Sequence, residues 1–438
     1  MGERVPKVVI VGGGFGGLYA ARALAHAPVK VTVIDRHNYH LFQPLLYQVA
    51  SATLSPADIA GPIRQVLYRQ RNTEVLLGEV SAVDTTARTV SLRGGGTLPY
   101  DYLILAAGAV DQYFGHEEWA AIAPALKTID DATEIRRRFL LAFEAAEHET
   151  DVEMQRALLT FVMVGGGPTG VEMAGAFAEI ARHTLRRDFR NIDPTSARII
   201  LIEGGPRLLS AYPEELSEKA LKQLKELGVE VRLNSIVTGI EFGSVLVGGE
   251  KIRAYNVVWS AGVSASPLGK SLGVPLDRTG RVIVEPDLSV PGHPEVFVIG
   301  DLAAFTHQLP DGRPLPGVAQ VAMQGGRSSA ANIERTLRGE PRKPFHYRDK
   351  GSMATIGRAK AIAEIGGVQL SGFLAWVTWI FVHILFLIGF RNRVTVILEW
   401  AWSYLTWQRG ALLITGEVRP DTIRRRVESS MPPWEERS

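Results

Sequence analysis

Short β-branched runs, each followed by clustered glycines and then by an apolar helical period, set the first pattern along the chain. Lys7–Val11 reads KVVIV and predicts a buried parallel strand. GGGFGG follows at Gly12–Gly17, then a helical stretch over Leu18–Ala25 and a second strand over Val29–Ile34, which ends in Asp35. This is a βαβ unit of about 30 residues, the scale of a mononucleotide-binding half. Residues 75–105 alternate strands with Gly-rich turns and lead into LILAAG, and residues 127–149 predict a charged helix. The pattern then restarts. Leu158–Val164 predicts a strand, GGGPTG spans Gly165–Gly170, Val171–Ala181 is helical, and Ile199–Ile202 is a strand ending in Glu203. VVWSAG at Val257–Gly262 echoes LILAAG. The interval from Gly165 to Glu203 is longer than that from Gly12 to Asp35, which predicts an Arg-rich insertion at about residues 183–196. Residues 281–300 return to strand character and end in Gly300–Asp301.

The C-terminal part has a different pattern. From Ile365 to Phe390 no Lys, Arg, Asp or Glu occurs, and Trp376, Trp379, Trp400, Trp402 and Trp407 cluster there and just beyond. Gly366, Gly367 and Gly372 restrict the predicted helix to Phe373–Phe390. On a second helix over Val394–Gln408, Thr395, Glu399, Ser403 and Thr406 form one stripe. Val394, Ile397, Leu398, Ala401 and Leu405 form another. That arrangement suits a helix lying in a membrane interface, and it favours a monotopic anchor over a spanning helix. The same faces would also serve a dimer contact. After Gly416 the chain is polar and Arg-rich, which predicts a loose tail.

Each glycine in the two loops has a chemical reason. Gly12 and Gly165 permit the tight turn. Gly14 and Gly167 let backbone approach a pyrophosphate. Gly17 and Gly170 allow close packing of helix and strand. A pyrophosphate then meets the N–H groups and the positive end of the following helix. With 44 glycines in 438 residues one such match carries little weight; two, each between a strand and a helix and each with a downstream acid, carry much more. Asp35 and Glu203 stand where a carboxylate accepts both ribose hydroxyls of an adenosine, or are solvated strand-end charges. Glu203 also repels a 2′-phosphate, while Arg207 softens that repulsion, so NADH is expected over NADPH.

Composition narrows the chemistry. A net charge of +2 gives no case for nucleic-acid binding, and 21% charged with 46% hydrophobic residues excludes both a disordered and a polytopic membrane chain. The absence of Cys excludes disulfide frameworks, Cys₄ zinc sites, Fe–S clusters and thiol-based redox steps. No metal site is expected. The first residues run directly into a strand pattern without an apolar signal region, so no secretion is expected.

Two dinucleotide folds and a late GD motif resemble the two-dinucleotide-binding-domain flavoproteins. Further segments resemble type II NADH:quinone oxidoreductases: HLFQPLLYQVA (His40–Ala50), GGGPTGVEMAG (Gly165–Gly175), AQVAMQGG (Ala319–Gly326) and a Trp-rich C-terminus with FRNR (Phe390–Arg393). These are single-subunit peripheral respiratory dehydrogenases that pump no protons, and the resemblance covers about residues 7–415. It implies an α/β fold of two Rossmann-like domains, the NAD domain inserted in the FAD domain, with C-terminal membrane-anchoring helices. The expected boundaries are 1–112 and 270–350 for the FAD domain, 113–156 for a connecting helical segment, 157–269 for the NADH domain, 351–412 for the membrane-associated helices and 413–438 for the tail. The lack of Cys sets aside sulfide:quinone and glutathione-reductase-like chemistry.

The resemblance also implies the reaction: a hydride passes from NADH to the N5 of a non-covalent FAD, then two electrons and two protons reach a membrane quinone, ubiquinone or menaquinone. The expected cofactor-binding residues are Gly12, Gly14, Phe15, Gly16, Gly17, Asp35, Arg36, Ala107, Gly108, Gly165, Gly167, Thr169, Gly170, Glu203, Gly262, Gly300, Asp301, Gln320, Val321 and Ala322. Glu172, Gln320 and Gln324 are the expected catalytic residues, and Gln320, Met323 and Gln324 the expected quinone contacts. If AQVAMQ begins a helix, positions 320, 323 and 324 share a face. Glu172, two residues past Gly170, is placed in the first turn of its helix, where an acid is also favoured by the dipole alone. His383, isolated in the apolar run, is either a proton relay or a satisfied buried histidine. Arg358 and Lys360 are expected at lipid phosphates or the quinone entrance, or simply in solvent. The expected partners are the bilayer, the quinone and a second copy in a homodimer, on the cytoplasmic face of the cell (inner) membrane. The competing readings are a soluble FAD-dependent NAD(P)H reductase of a protein acceptor and a non-catalytic NADH-sensing protein. The Trp-rich segment argues against the soluble reductase.

Overall fold

The computed structural model describes residues 4–415; most of the tail expected from residue 413 lies outside them. The helices that position the sites are, in chain order, α1 (Phe15–Ala23), α2 (Leu46–Ala50), α3 (Pro168–Glu179), α4 (Ala319–Leu337), α5 (Phe373–Phe386) and α6 (Phe390–Thr406). The chain divides into two compact units. Of the described residues, unit 1 contains 4–41, Ala60–Asp111 and Val263–Lys350; unit 2 contains Phe42–Ile59, Gln112–Gly262 and 351–415.

Unit 1 is built on a mostly parallel sheet in the order Ser289–Val290, His293–Val298, Tyr102–Leu105, Lys7–Val11, Lys30–Asp35, Thr73–Leu77. The central strand pairs in parallel on both sides, Val8 with Val31 and with Tyr102. Val8, Ile10, Val31, Val33 and Leu103 are fully buried, as expected of parallel strands covered on both faces. Because the chain crosses first to one side of Lys7–Val11 and later to the other, a crevice opens at the carboxyl end of that strand, the usual ligand position in such sheets. α1 begins there. It packs against α4 so closely that a Cβ on Gly326 would lie 2.3 Å from the Gly16 carbonyl oxygen.

Unit 2 repeats the plan in a smaller sheet, Glu230–Arg232, Arg198–Ile202, Thr160–Val164, Asn256–Trp259, all parallel. Val162 faces Ile200 and Val257 in register. α3 begins at the carboxyl end of the central strand. The expected charged helix forms at Ile129–His148, started by a reciprocal cap between Thr128 and Asp131. Segment Phe42–Ile59, which interrupts unit 1 in sequence, packs within unit 2.

The region after Gly351 differs from the all-helical expectation. Ser352–Gly357, Lys360–Ile365 and Val368–Ser371 form an antiparallel sheet. The signals are two tight turns: Gly366 and Gly367 both have positive φ, the two-residue hairpin geometry, and Ala359 takes positive φ at the other turn. α5 stops at Phe386, short of the expected Phe390, and α6 starts at Phe390, earlier than the expected Val394. The apolar stripe of α6 points outward. Ile397, Leu398 and Leu405 are 48%, 64% and 82% exposed, whereas Val396 and Trp400 are buried. On α5, Phe373, Leu374, Phe381 and Leu385 are likewise exposed, and Trp379 is buried. No helix among the described residues is long and apolar enough to cross a membrane.

α3 is docked on this small sheet without room for a side chain. A Cβ on Gly175 would lie 1.7 Å from the Ile356 carbonyl oxygen. Gly175→Ala is expected to destabilise the protein by about 1–3 kcal/mol or more, since backbone must shift. Thermal melting followed by circular dichroism measures it; an unchanged midpoint would contradict the docking.

Candidate active site

Both glycine loops are held by the acid at the end of the next strand. Asp35 accepts the Gly13 N–H at 2.6 Å through one carboxylate oxygen and the His37 N–H at 2.7 Å through the other. Glu203 does the same in unit 2, accepting Gly166 N–H and Gly205 N–H, each at 2.6 Å. Gly12 and Gly165 have φ of +101° and +109°, and a Cβ on Gly17 or Gly170 would fall within 1.9 Å of the carbonyl oxygen at the start of its own loop. The third glycine is therefore required by closure of the loop itself, a tighter constraint than helix–strand packing. α1 and α3 start at Gly14 and Gly167 with no side-chain cap and no acid in the first turn. A Cβ built at either glycine meets nothing within 4 Å. Each helix therefore offers N–H groups and open space to an anion.

The other unit 1 residues surround the first loop. Ala106 presents its carbonyl beneath Gly12, and Gly108 turns with φ +68°. Arg36 is exposed and Ala107 partly buried. Gly300, with φ +67°, places Asp301 beside Gly317, whose Cβ would lie 3.1 Å from the carboxylate, and packs against Ala322. His40 was not singled out in the sequence. Its Nδ1–H donates to the Gly13 carbonyl at 2.9 Å, and burial lowers its pKa to about 4, so the ring is neutral at physiological pH. Its Nε2 is then a buried acceptor without a protein partner. The ring of Phe15 meets it edge-on at 5.1 Å. An uncapped helix N-terminus, an open glycine edge and an orphaned acceptor together fit the pyrophosphate and hydroxyls of a dinucleotide such as FAD.

On α4, Val321, Ala322 and Met323 are buried. Gln320 accepts the Lys350 N–H and Gln324 brackets Arg348, donating to its carbonyl at 2.9 Å and accepting its N–H at 3.0 Å. These amides thus tie down residues 348–350, a structural use the sequence did not reveal.

In unit 2, Gly165–Gly167 and Glu203 share a cavity with Phe114, His116, Trp119 and Trp259. Trp259 stacks on Tyr113 at 5.2 Å and donates its indole N–H to the Gln112 carbonyl. Phe114 lies against Gly262, and Thr169 is in the first turn of α3. This aromatic wall comes from residues 113–119, far from the loop in sequence.

A second, narrow cavity holds Glu172 and Glu179 from α3, Tyr47 and Gln48 from α2, Arg358, and Tyr404 and Arg409 from the C-terminal segment. α3 begins at Pro168, so Glu172 is in its second turn and the helix dipole does not account for it. Burial pushes its carboxyl up to about 8, against a Thr355 backbone N–H that lowers it. Glu179 accepts the Arg358 N–H and pairs with Arg409, which also donates to the Ser51 carbonyl and the Thr53 hydroxyl at 2.7 Å. Arg358 stacks over Trp407 at 4.4 Å, and Lys360 pairs with Glu226. His383 donates from Nδ1 to the Trp379 carbonyl at 2.7 Å, and burial lowers its pKa to about 4. The ring is therefore neutral at physiological pH, with Nδ1 engaged in the helix.

The model for pyridine nucleotide-disulphide oxidoreductases matches residues 6–326, and that for the NDH2 C-terminal domain matches residues 350–407. Together they define a flavoprotein-type double dinucleotide fold with a specialised C-terminus. The type II NADH:quinone oxidoreductase NdhA of Mycobacterium tuberculosis is 48% identical over 94% of this chain and 90% of its own length. The enzyme of that name from Staphylococcus aureus is 31% identical over 85% and 92%. Among solved structures, NDH2 from Plasmodium falciparum in complex with NADH superposes with a TM-score of 0.87, covering 94% of this chain and 100% of that one at 22% identity, which speaks for the fold. The chain belongs to the type II NADH:quinone oxidoreductases.

Glu172 yields a stability prediction. Its folded-state pKa lies above the ordinary carboxyl value of 4.5, so the folded protein holds a proton that the unfolded chain releases between pH 4.5 and about 8. This contribution is complete below 4.5 and is lost as pH rises through about 8. Glu172→Gln removes it, so the variant's melting temperature should rise relative to wild type across that window. A difference that is flat with pH would contradict the raised pKa.

Proposed function

We propose that this chain is a peripheral membrane flavoenzyme that oxidises NADH and passes two electrons to a membrane quinone without pumping protons. The observation that carries the reading is the duplicated, uncapped glycine-loop helix start, each locked by a strand-end carboxylate, in a chain nearly half identical to enzymes of that name. Non-covalent FAD belongs at Gly12–Gly17, with Phe15, Asp35, His40, Gly300 and Asp301 around it. It supplies the two-electron relay when bound. NADH belongs at Gly165–Gly170 against the Trp259 wall, with Glu203 toward the ribose.

Glu172 is read as a catalytic residue, and Gln320, Met323 and Gln324, on α4, as the quinone contacts. Gln324 would bind a quinone through its second amide N–H or by releasing Arg348. The elevated pKa leaves Glu172 able to hold a proton near neutral pH, as quinone reduction requires. The outward apolar residues of α5 and α6 are read as the bilayer-binding face of a monotopic enzyme on the cytoplasmic side of the cell (inner) membrane, with a homodimer as the assembly. Domain roles follow the sequence reading, with the 351–371 sheet as a platform for the anchor helices.

The deciding experiment is NADH oxidation by purified protein with a panel of quinones and NADPH as control. Glu203→Gln should weaken NADH by about 1–3 kcal/mol, the scale of hydrogen bonds to a charged group, and raise relative use of NADPH. Unchanged discrimination would remove Glu203 from ribose recognition. For the anchor, Leu398→Glu with Leu405→Glu should abolish flotation with liposomes while leaving the melting temperature near wild type, because both side chains are exposed. Retained flotation, or loss of dimer instead, would reassign the face.

A further inference from the structure

The direction of every hydrogen bond in one buried chain of side chains is fixed by chemistry. The indole N–H of Trp400, on α6, can only donate. It donates to the Gln48 side-chain oxygen at 2.7 Å, which turns the Gln48 amide group the other way, where Nε2 donates to the Tyr47 hydroxyl at 2.8 Å. Flipping the amide would set N–H against N–H. The Tyr47 oxygen is thus an acceptor toward Gln48, and its own proton must point elsewhere. Among the described residues that proton has no acceptor at hydrogen-bonding distance. All three residues are buried, at 7%, 4% and 2% exposure for Tyr47, Gln48 and Trp400. An unspent hydroxyl donor at such a site is costly unless a ligand or water takes it.

Tyr47 opens onto the cavity that holds Glu172, Tyr404 and Arg409. Burial and the nearby Glu172 push the Tyr47 hydroxyl well above its ordinary value, so it remains a donor at any physiological pH. A neutral Glu172 carboxyl adds a second O–H. Beside the Glu179–Arg409 pair, these two O–H groups offer donors to a ligand group that only accepts, which is the hydrogen-bonding character of a quinone carbonyl.

We propose that the Tyr47 hydroxyl donates a hydrogen bond to a carbonyl oxygen of the quinone, and that Gln48 and Trp400 are positioning residues that fix the direction of that donor. The proposal rests on the quinone-reductase reading above and deepens it. No proton leaves Tyr47 in this step; the bond polarises the carbonyl as the electrons arrive.

The test uses full-length, FAD-loaded protein reduced anaerobically with NADH and mixed in a stopped-flow instrument with menadione or with ferricyanide, an outer-sphere acceptor that needs no hydrogen bond in the cavity. Tyr47→Phe should slow reoxidation by subsaturating menadione about tenfold, the scale of one hydrogen bond, and leave ferricyanide within twofold of wild type. Menadione binding to the oxidised protein, read by quenching of tryptophan fluorescence, should weaken by a similar factor. Trp400→Phe, which keeps an aromatic ring and removes only the N–H donor, should slow the menadione phase about threefold with the same selectivity. It decides the matter if Tyr47→Phe does not fold. Wild-type menadione kinetics in Tyr47→Phe, or parallel loss with ferricyanide, overturns the proposal while sparing the functional reading. Failure of every quinone to reoxidise wild-type protein overturns both.

Discussion

A carboxylate at the end of one strand, accepting the backbone N–H of a glycine loop at the end of its neighbour, sets the geometry on which both units depend. Asp35 holds Gly13 and Glu203 holds Gly166, each at 2.6 Å. A charged acceptor makes such bonds roughly twice as strong as neutral ones. With the loop closed, the helix that follows starts at a fixed angle with its first N–H groups uncapped and facing outward. The carboxylates are therefore structural before any nucleotide arrives. In the proposed function a ribose would draw on lone pairs left over from that role, so substitution of either acid would act on the loop as well as on the ligand.

A second constraint governs the C-terminal half of unit 2. The ion pair of Glu179 and Arg409 lies out of solvent, and Arg409 also grips the backbone and hydroxyl of the Phe42–Ile59 segment. A buried pair contributes little net stability against its hydrophobic replacement, but removal of one partner strands a charge at about 3–5 kcal/mol. The pair therefore acts chiefly as a specifier. It ties the segment after α6 to α3 and to the end of α2, which brings Tyr47, Gln48 and Glu172 to one cavity.

The arrangement of α5 and α6 follows from the same anchoring. Trp379 and Trp400 turn inward and pack 5.4 Å apart, and the Trp400 N–H is spent on Gln48. With those large side chains committed inside, the remaining apolar residues have only the outer face to occupy. An outer face of Leu, Ile and Phe is a poor surface in water and a good one against lipid. Of the predicted polar stripe, Thr395, Glu399 and Ser403 are partly buried and Thr406 is exposed, while Tyr404 meets the cavity.

The glycine loops, the strands before them and the acids after them were legible in the sequence because each is a local device: a few residues satisfy a turn, a helix start and a hydrogen bond at once. The double dinucleotide fold followed from their repetition, and the presence of two C-terminal helices from apolar periodicity. The Ser352–Ser371 sheet was missed, since residues 351–412 were expected to be membrane-associated helices and its turns at Ala359 and Gly366–Gly367 went unread. The clamps made by Gln320 and Gln324, the aromatic wall of residues 113–119 and the lone acceptor of His40 were likewise not readable. Each depends on partners far away in sequence. Which acid carries a proton, which amide is already engaged and which hydroxyl remains unspent are set by burial and by distant neighbours, and these exist only once the chain has folded.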